Sequence, residues 1–239
     1  MLEVCCGSYE DALTASQAGA KRIELNSALP LGGLTPTTAT LDMIKRNTDM
    51  EVICMVRCRE GGFFYSENEY MQMIEEATEL LEHGADGIAF GFLDEQKNLS
   101  VTRIRNMVTL IHSYNKIAVF HRAFDVMENT DSIRMLYELG IDRVLTSGQK
   151  PTAFAGIETL KNLQENYGDK IEIVAGCGIT HENVLHIMKE TGITNIHSSC
   201  KEYSLDPTTS GSSVSFSVHK NEYQHVSFSK VKAMMNYLP

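Results

Sequence analysis

The run Ala118–Asp125, Ala-Val-Phe-His-Arg-Ala-Phe-Asp, ends an apolar segment in an imidazole, a guanidinium and, three residues on, a carboxylate. Packing does not require such a group, because charges taken from water cost free energy unless they are paired. His121 can serve as general acid or base, with Asp125 or a nearby glutamate setting its tautomer. Arg57 and Arg59 follow another apolar run and can form a fork for a carboxylate or phosphate, and Arg122 adjoins His121. Thr146-Ser147-Gly148 and Gly176-Cys177-Gly178 end two more runs. Small residues there let backbone N–H groups approach an anion. His197 and Ser198 end the last run.

The elements that must position these groups alternate along the chain. Strands are predicted over Leu2–Cys5, Arg22–Leu25, Val52–Val56, Gly87–Phe90, Ile117–His121, Arg143–Leu145, Ile171–Ala175 and Asn195–His197. Helices are predicted over Tyr9–Ala18, Thr37–Lys45, Glu67–His83, Val101–His112, Asp131–Leu139, Ala153–Asn166 and His181–Glu190. Eight evenly spaced strand–helix units predict a closed (β/α)8 TIM barrel, a fold of about 250 residues, rather than an open doubly wound sheet. Residues 1–200 form the barrel in this reading, and 201–239 an extension packing on it. Thr208–Ser217, rich in Ser and Thr, reads as a loop or mobile arm, and Ser229–Leu238 as a closing helix. In the loop Glu60-Gly61-Gly62-Phe63-Phe64-Tyr65, the aromatics either cap the barrel mouth as a hinged flap or pack on the neighbouring helix.

With 239 residues the chain can bury one substantial core. No stretch approaches the ~20 apolar residues of a membrane span. The start reads directly as a strand, without the basic segment and apolar core of a secretion signal, which predicts a cytoplasmic protein. Six cysteines are then expected as thiols. A formal net charge of −10 argues against non-specific nucleic-acid binding. Homo-oligomers are common among such domains, and one is expected here.

Strand alternation sorts the side chains. Leu2, Val4, Ile23, Leu25, Cys54, Val56 and Phe120 face the helices. Glu3, Cys5, Glu24, Asn26, Arg57, Arg59, His121 and His197 then converge on the lumen. One reading of this set is a layer of structural salt bridges. The other is a site at the strand C-termini, where barrel enzymes build theirs.

Six motifs in order resemble the CutC family of copper homeostasis proteins: Leu2-Glu3-Val4-Cys5, Arg22-Ile23-Glu24-Leu25, Gly32-Gly33-Leu34-Thr35-Pro36, Phe120 to Asp125, Leu145-Thr146-Ser147-Gly148 and His197-Ser198-Ser199. The resemblance runs from about Leu2 to Ser199. It implies a (β/α)8 barrel, a cytoplasmic location and a role in copper binding or trafficking. Of the two cysteines proposed as copper ligands in the family, one aligns with Cys5 and the other with Asn26. An amide is a poor Cu(I) ligand. A second departure is Arg57-Cys58-Arg59, where the family usually has proline between the arginines; alternation turns Cys58 from the lumen.

Two functional readings follow. In the first, Cys5 binds copper together with Cys177 or Cys200, which end the neighbouring seventh and eighth strands; Cys6 has the wrong alternation. The twelve methionines form no Met-x-x-Met array and read as core packing. In the second, the barrel is an enzyme acting on a small anionic metabolite. His121, Glu3, Glu24 and Asp125 then do acid–base work, while Arg57, Arg59, Arg122, Thr146, Ser147, Gly148, Gly176, Gly178, His197 and Ser198 bind substrate. A hard divalent metal on Glu3, Glu24, His121 and His197 is a variant of the second reading.

Overall fold

The alternation that sorts these side chains decides the architecture. The computed structural model describes residues 1–216 and 221–238. Its strands β1 (Leu2–Cys6), β2 (Arg22–Leu25), β3 (Glu51–Met55), β4 (Gly87–Phe90), β5 (Ile117–Phe120), β6 (Arg143–Thr146), β7 (Glu172–Ala175) and β8 (Asn195–Ser198) form one closed parallel barrel. β8 pairs with β1, setting Glu3 opposite His197 and Val4 opposite Ser198. The protein is therefore the expected (β/α)8 TIM barrel. Outward residues such as Val4, Ile23, Leu25, Cys54 and Phe120 are fully buried under the helices.

The helices are α1 (Tyr9–Gln17), α2 (Thr38–Asn47), α3 (Glu67–Glu82), α4 (Val101–Ser113), α5 (Ser132–Glu138), α6 (Ile157–Tyr167) and α7 (Val184–Thr191). Ser8, Thr37 and Ser66 cap the first three by accepting from backbone N–H groups. α7 starts later than predicted because Asn183 folds back to accept from the Thr180 N–H at 2.9 Å, closing a turn ahead of it. No described helix is long and apolar enough to cross a membrane.

The tail carries the expected closing helix together with a hairpin that the sequence reading lacks. β9 (Lys201–Leu205) and β10 (Glu222–Val226) pair antiparallel as a hairpin, followed by α8 (Phe228–Met235). The described part of the expected arm, 208–216, lies within the connection between those two strands; Ser217 falls outside the described residues. The Asp11 carboxylate fastens the hairpin to the barrel, accepting from Gly7 N–H at 2.9 Å and Val226 N–H at 2.7 Å.

The lower lumen carries the ionic layer. Arg143 reaches Glu51 at 2.5 Å and Glu172 at 3.0 Å, and Arg22 reaches Glu172 at 3.2 Å. Beside it, Ile53, Met55, Ala89 and Val119 fill the β3–β5 side with apolar groups. Here strands and lumen meet so closely that glycine is needed. A Cβ on Gly87 would lie 2.6 Å from the Ile117 carbonyl oxygen and 2.7 Å from Ile53 Cδ1. Gly87→Ala should cost about 1–3 kcal/mol in denaturant unfolding. Gly62→Ala, whose methyl meets nothing within 4 Å, should stay within about 0.5 kcal/mol.

Candidate functional site

Above the ionic layer, register brings Glu3, Cys5, Glu24 and His197 together. Glu3 faces Arg22 on one side and His197 on the other, and Cys5 faces Glu24. The Glu3 carboxylate meets His197 Nδ1 at 2.8 Å and Arg22 Nε at 3.0 Å. Asn26 Nδ2 donates to Glu24 Oε2 at 2.9 Å and approaches Cys5 Sγ at 3.5 Å. The Cys5 thiol lies 3.8 Å from the same carboxylate oxygen. One ligand atom each from Cys5, Glu24 and His197 falls within 4.8 Å of the others.

Burial and charge set the protonation states. Burial pushes Glu3 up, but the His197 hydrogen bond and the positive charges of His197, Arg22 and Arg143 outweigh it and hold Glu3 low. Burial raises Glu24, and the negative charge of Glu3 adds to the rise. Burial pulls His197 down, yet Glu24, Cys5 and Glu3 carry it well above the usual imidazole range. Burial pushes the Cys5 thiol up to about 11. The site thus pairs a lowered Glu3 with a raised His197, beside a thiol that holds its proton and a Glu24 carboxyl shifted upward chiefly by burial.

Neither partner expected for Cys5 joins it. Cys177 sits at φ 79° and turns its thiol to the Pro151 carbonyl at 3.1 Å. Cys200 is buried with its thiol on Ser198 Oγ at 3.6 Å. Ser198 shares the outward face of Val4, and its hydroxyl donates to the Ile179 carbonyl at 2.7 Å. It does not line the lumen.

The anion-recognising groups are largely taken by the protein itself. Arg59 leaves the lumen and binds Glu69 at 2.5 Å, the residue that also completes the α3 capping box. It makes no fork with Arg57, whose Nη atoms donate to the carbonyls of Leu31, Gly33 and Gly61. Asp125 does not touch His121. Its carboxylate fills the loop after β6, accepting from Thr146 Oγ1 at 2.5 Å, Ser147 Oγ at 2.9 Å, Ser147 N–H at 3.1 Å and Gln149 N–H at 3.2 Å. Arg122 pairs with it at 2.8 Å, and Gly148 N–H donates to Thr146 Oγ1 at 2.9 Å. The nest that reads as an anion site in the sequence is occupied by an internal carboxylate. Gly176 N–H is used by the Thr146 carbonyl at 3.0 Å, and Gly176 leaves room for His197, whose Cβ would stand 3.3 Å from an added methyl. Gly178, at φ 72°, takes a left-handed turn after β7.

His121 lies apart from the Glu3–His197 pair in its contacts. Its Nδ1 accepts from Ala123 N–H at 3.1 Å, which places the ring proton on Nε2. Phe63 packs on the ring at a centroid distance of 4.9 Å. Burial, reinforced by the positive charge of Arg57, drives His121 down to about 3. In the aromatic loop Phe63 lies against His121, Tyr65 is buried against Phe92 in the loop after β4, and Phe64 is half exposed. Sequence reasoning missed the lower ionic set Arg22, Glu51, Arg143 and Glu172. The available signal was a charged first residue on each of β2, β3, β6 and β7.

The CutC family model matches residues 1–202. The chain is similar to a CutC family protein of Treponema denticola, 44% identical over 209 residues, covering 87% of this chain and 84% of that one. It is 35% identical to one from Bacteroides fragilis over 231 residues, covering 94% and 90%. Among solved structures, one described as a copper homeostasis protein CutC from Streptococcus agalactiae is 29% identical with a TM-score of 0.78. It covers 83% of this chain and 98% of that one.

Two outcomes follow from this geometry. Asp125→Ala strips the β6 loop of its acceptor and leaves Arg122 without its carboxylate, and should cost about 3 kcal/mol or more in equilibrium unfolding. His121 stays neutral in the folded chain down to about pH 3, whereas in the unfolded chain it takes its proton near ~6.5. The unfolded state binds the extra proton between these values, so stability falls as pH drops through that window. Wild type should lose about 1 kcal/mol per pH unit more than His121→Phe there. Parallel stability curves would contradict the neutral buried imidazole.

Proposed function

We propose that this chain, which belongs to the CutC family, handles copper as Cu(I) at the mouth of its barrel, with Cys5 and His197 as the binding pair and Glu24 beside them. The observation that carries the reading is the meeting of one sulfur, one imidazole nitrogen and one carboxylate oxygen within 4.8 Å. Thiolate sulfur is the donor that Cu(I) prefers, and imidazole suits copper generally. The donor set fits without a second cysteine, because His197 takes the role that Asn26 cannot fill. Asn26 instead steers Glu24 and Cys5 through its amide.

The residue behind the ligand supports the same reading. A metal-binding histidine commonly hands its other ring nitrogen to a carboxylate, which fixes the ring and strengthens the ligand. Glu3 holds His197 Nδ1 in this way, leaving Nε2 for a metal. Binding releases the thiol proton and the imidazolium proton, since both ligands act deprotonated. All six cysteines are free thiols. Trafficking then amounts to capture and release at this strand end.

One observation favours a second reading, acid–base chemistry on a small molecule. Glu3 is held low and Glu24 is held high on either side of His197, and such separation is how paired carboxylates divide acid and base roles. That chemistry needs Glu24 and His197 and is indifferent to Cys5.

Competition titration of Cu(I) against a chromogenic chelator separates the two. Cys5→Ser should weaken Cu(I) binding by about 100-fold or more, and Glu3→Gln by about 10-fold or more through a loosened His197. Cys177→Ser and Cys200→Ser should bind like wild type. Unchanged affinity in Cys5→Ser would overturn the copper reading.

A further inference from the structure

The β3–β5 side of the mouth has its own chemistry. Along β3, Ile53 and Met55 face the lumen, and the next residue in that alternation is Arg57. Along β4 and β5 the corresponding positions are Gly91 above Ala89, and His121 above Val119. The backbone ladder continues past the strand ends, with Val56 N–H donating to the Ala89 carbonyl at 2.8 Å and His121 N–H to the Phe90 carbonyl at 2.9 Å. Arg57, Gly91 and His121 therefore form one layer on top of the apolar lumen. Gly91 is what lets His121 lie there, since an added methyl would stand 2.6 Å from its Cε1. Phe63 covers both polar groups, 4.9 Å from the His121 ring and 5.5 Å from the Arg57 guanidinium carbon.

Two buried donors in this layer lack an acceptor. Arg57 is 6% exposed and His121 is 3% exposed, and Arg57 Nε and His121 Nε2 have no hydrogen-bond partner. Buried donors are rarely left this way without a ligand or water to receive them. The charge is equally unusual. Arg22 and Arg143, the other buried arginines, are paired with carboxylates. Arg57 has three carbonyl oxygens, the Phe63 ring and the nearby Tyr65 hydroxyl, and no carboxylate within ion-pair distance among the described residues. A buried cation balanced only by dipoles favours an incoming anion.

We infer that Arg57 Nε–H and His121 Nε2–H form a subsite for a small carboxylate under the Phe63 cap. One cation and one neutral donor match one monoanion with two acceptor oxygens. A phosphate dianion brings more negative charge than the single Arg57 cation balances. Entry requires Phe63 to move, and the flanking Gly61, at φ 90°, and Gly62 give the loop that freedom. None of these groups is a ligand of the Cys5 site, so the subsite stands or falls independently of copper.

Both orphan N–H groups can be observed directly. The full chain, 15N-labelled at arginine and histidine, is titrated with formate and then acetate, against sodium chloride of equal ionic strength and inorganic phosphate. The Arg57 Nε and His121 Nε2 resonances should shift together and saturate with formate or acetate, while chloride leaves them in place. His121→Leu should weaken the formate response of Arg57 Nε by about tenfold or more, and Cys5→Ser should leave it unchanged. No saturable shift at either nitrogen in the wild-type chain overturns the subsite, and this reading holds whether or not His121→Leu folds. A phosphate response equal to that of formate overturns the carboxylate assignment.

Discussion

The carboxylate of Glu3 meets two demands at once. One oxygen faces the Arg22 guanidinium and the other holds His197 Nδ1, so a single buried side chain on β1 joins β2 and β8 across the closing seam of the barrel. Removing a carboxylate from water is costly, and only close, well-aligned partners offset that cost. The strands supply them by register, since Arg22 and His197 are the residues directly beside Glu3. The same contact fixes the chemistry one level higher. Glu24, Cys5 and Glu3 together carry His197 upward, and the negative charge of Glu3 adds to the rise that burial gives Glu24.

The mouth divides into halves with opposite character. On β8, β1 and β2, acidic groups, a thiol and an imidazole gather, a donor set for a cation. On β3 to β5, an arginine and a neutral histidine sit under an aromatic ring, a donor set for an anion. The loop after β2 connects them: the Gly33 carbonyl accepts from Arg57, and an added methyl on Gly33 would stand 2.3 Å from the Asn26 oxygen. Asn26 therefore steers the cation side while packed against the loop that holds Arg57.

The barrel was legible because it rests on alternation and length, both local. Glu3, Cys5, Glu24 and His197 were legible as lumen residues for the same reason, and closure made them neighbours. The partners of polar groups beyond the strand ends were not. Asp125 stands four residues after His121, yet a 3-10 turn over Arg122–Val126 swings it to the loop after β6. Arg59 follows the alternation of Arg57 on paper, but the chain leaves the sheet after Val56 and Glu69 captures the side chain on α3. The hairpin of β9 and β10 was missed because its alternation, Lys-Glu-Tyr-Ser-Leu, buries little and lacks an apolar face. Asp11, 215 residues before its partner Val226, is what anchors it.

The central claim is that copper is held by one cysteine sulfur and one histidine nitrogen that Glu3 keeps in place. X-ray absorption at the copper edge of the Cu(I)-loaded full chain reads those neighbours directly. The account predicts one sulfur and one nitrogen neighbour with the outer scattering of an imidazole ring, lost in His197→Phe. A copper bound by sulfur alone, with no imidazole scattering, would contradict it.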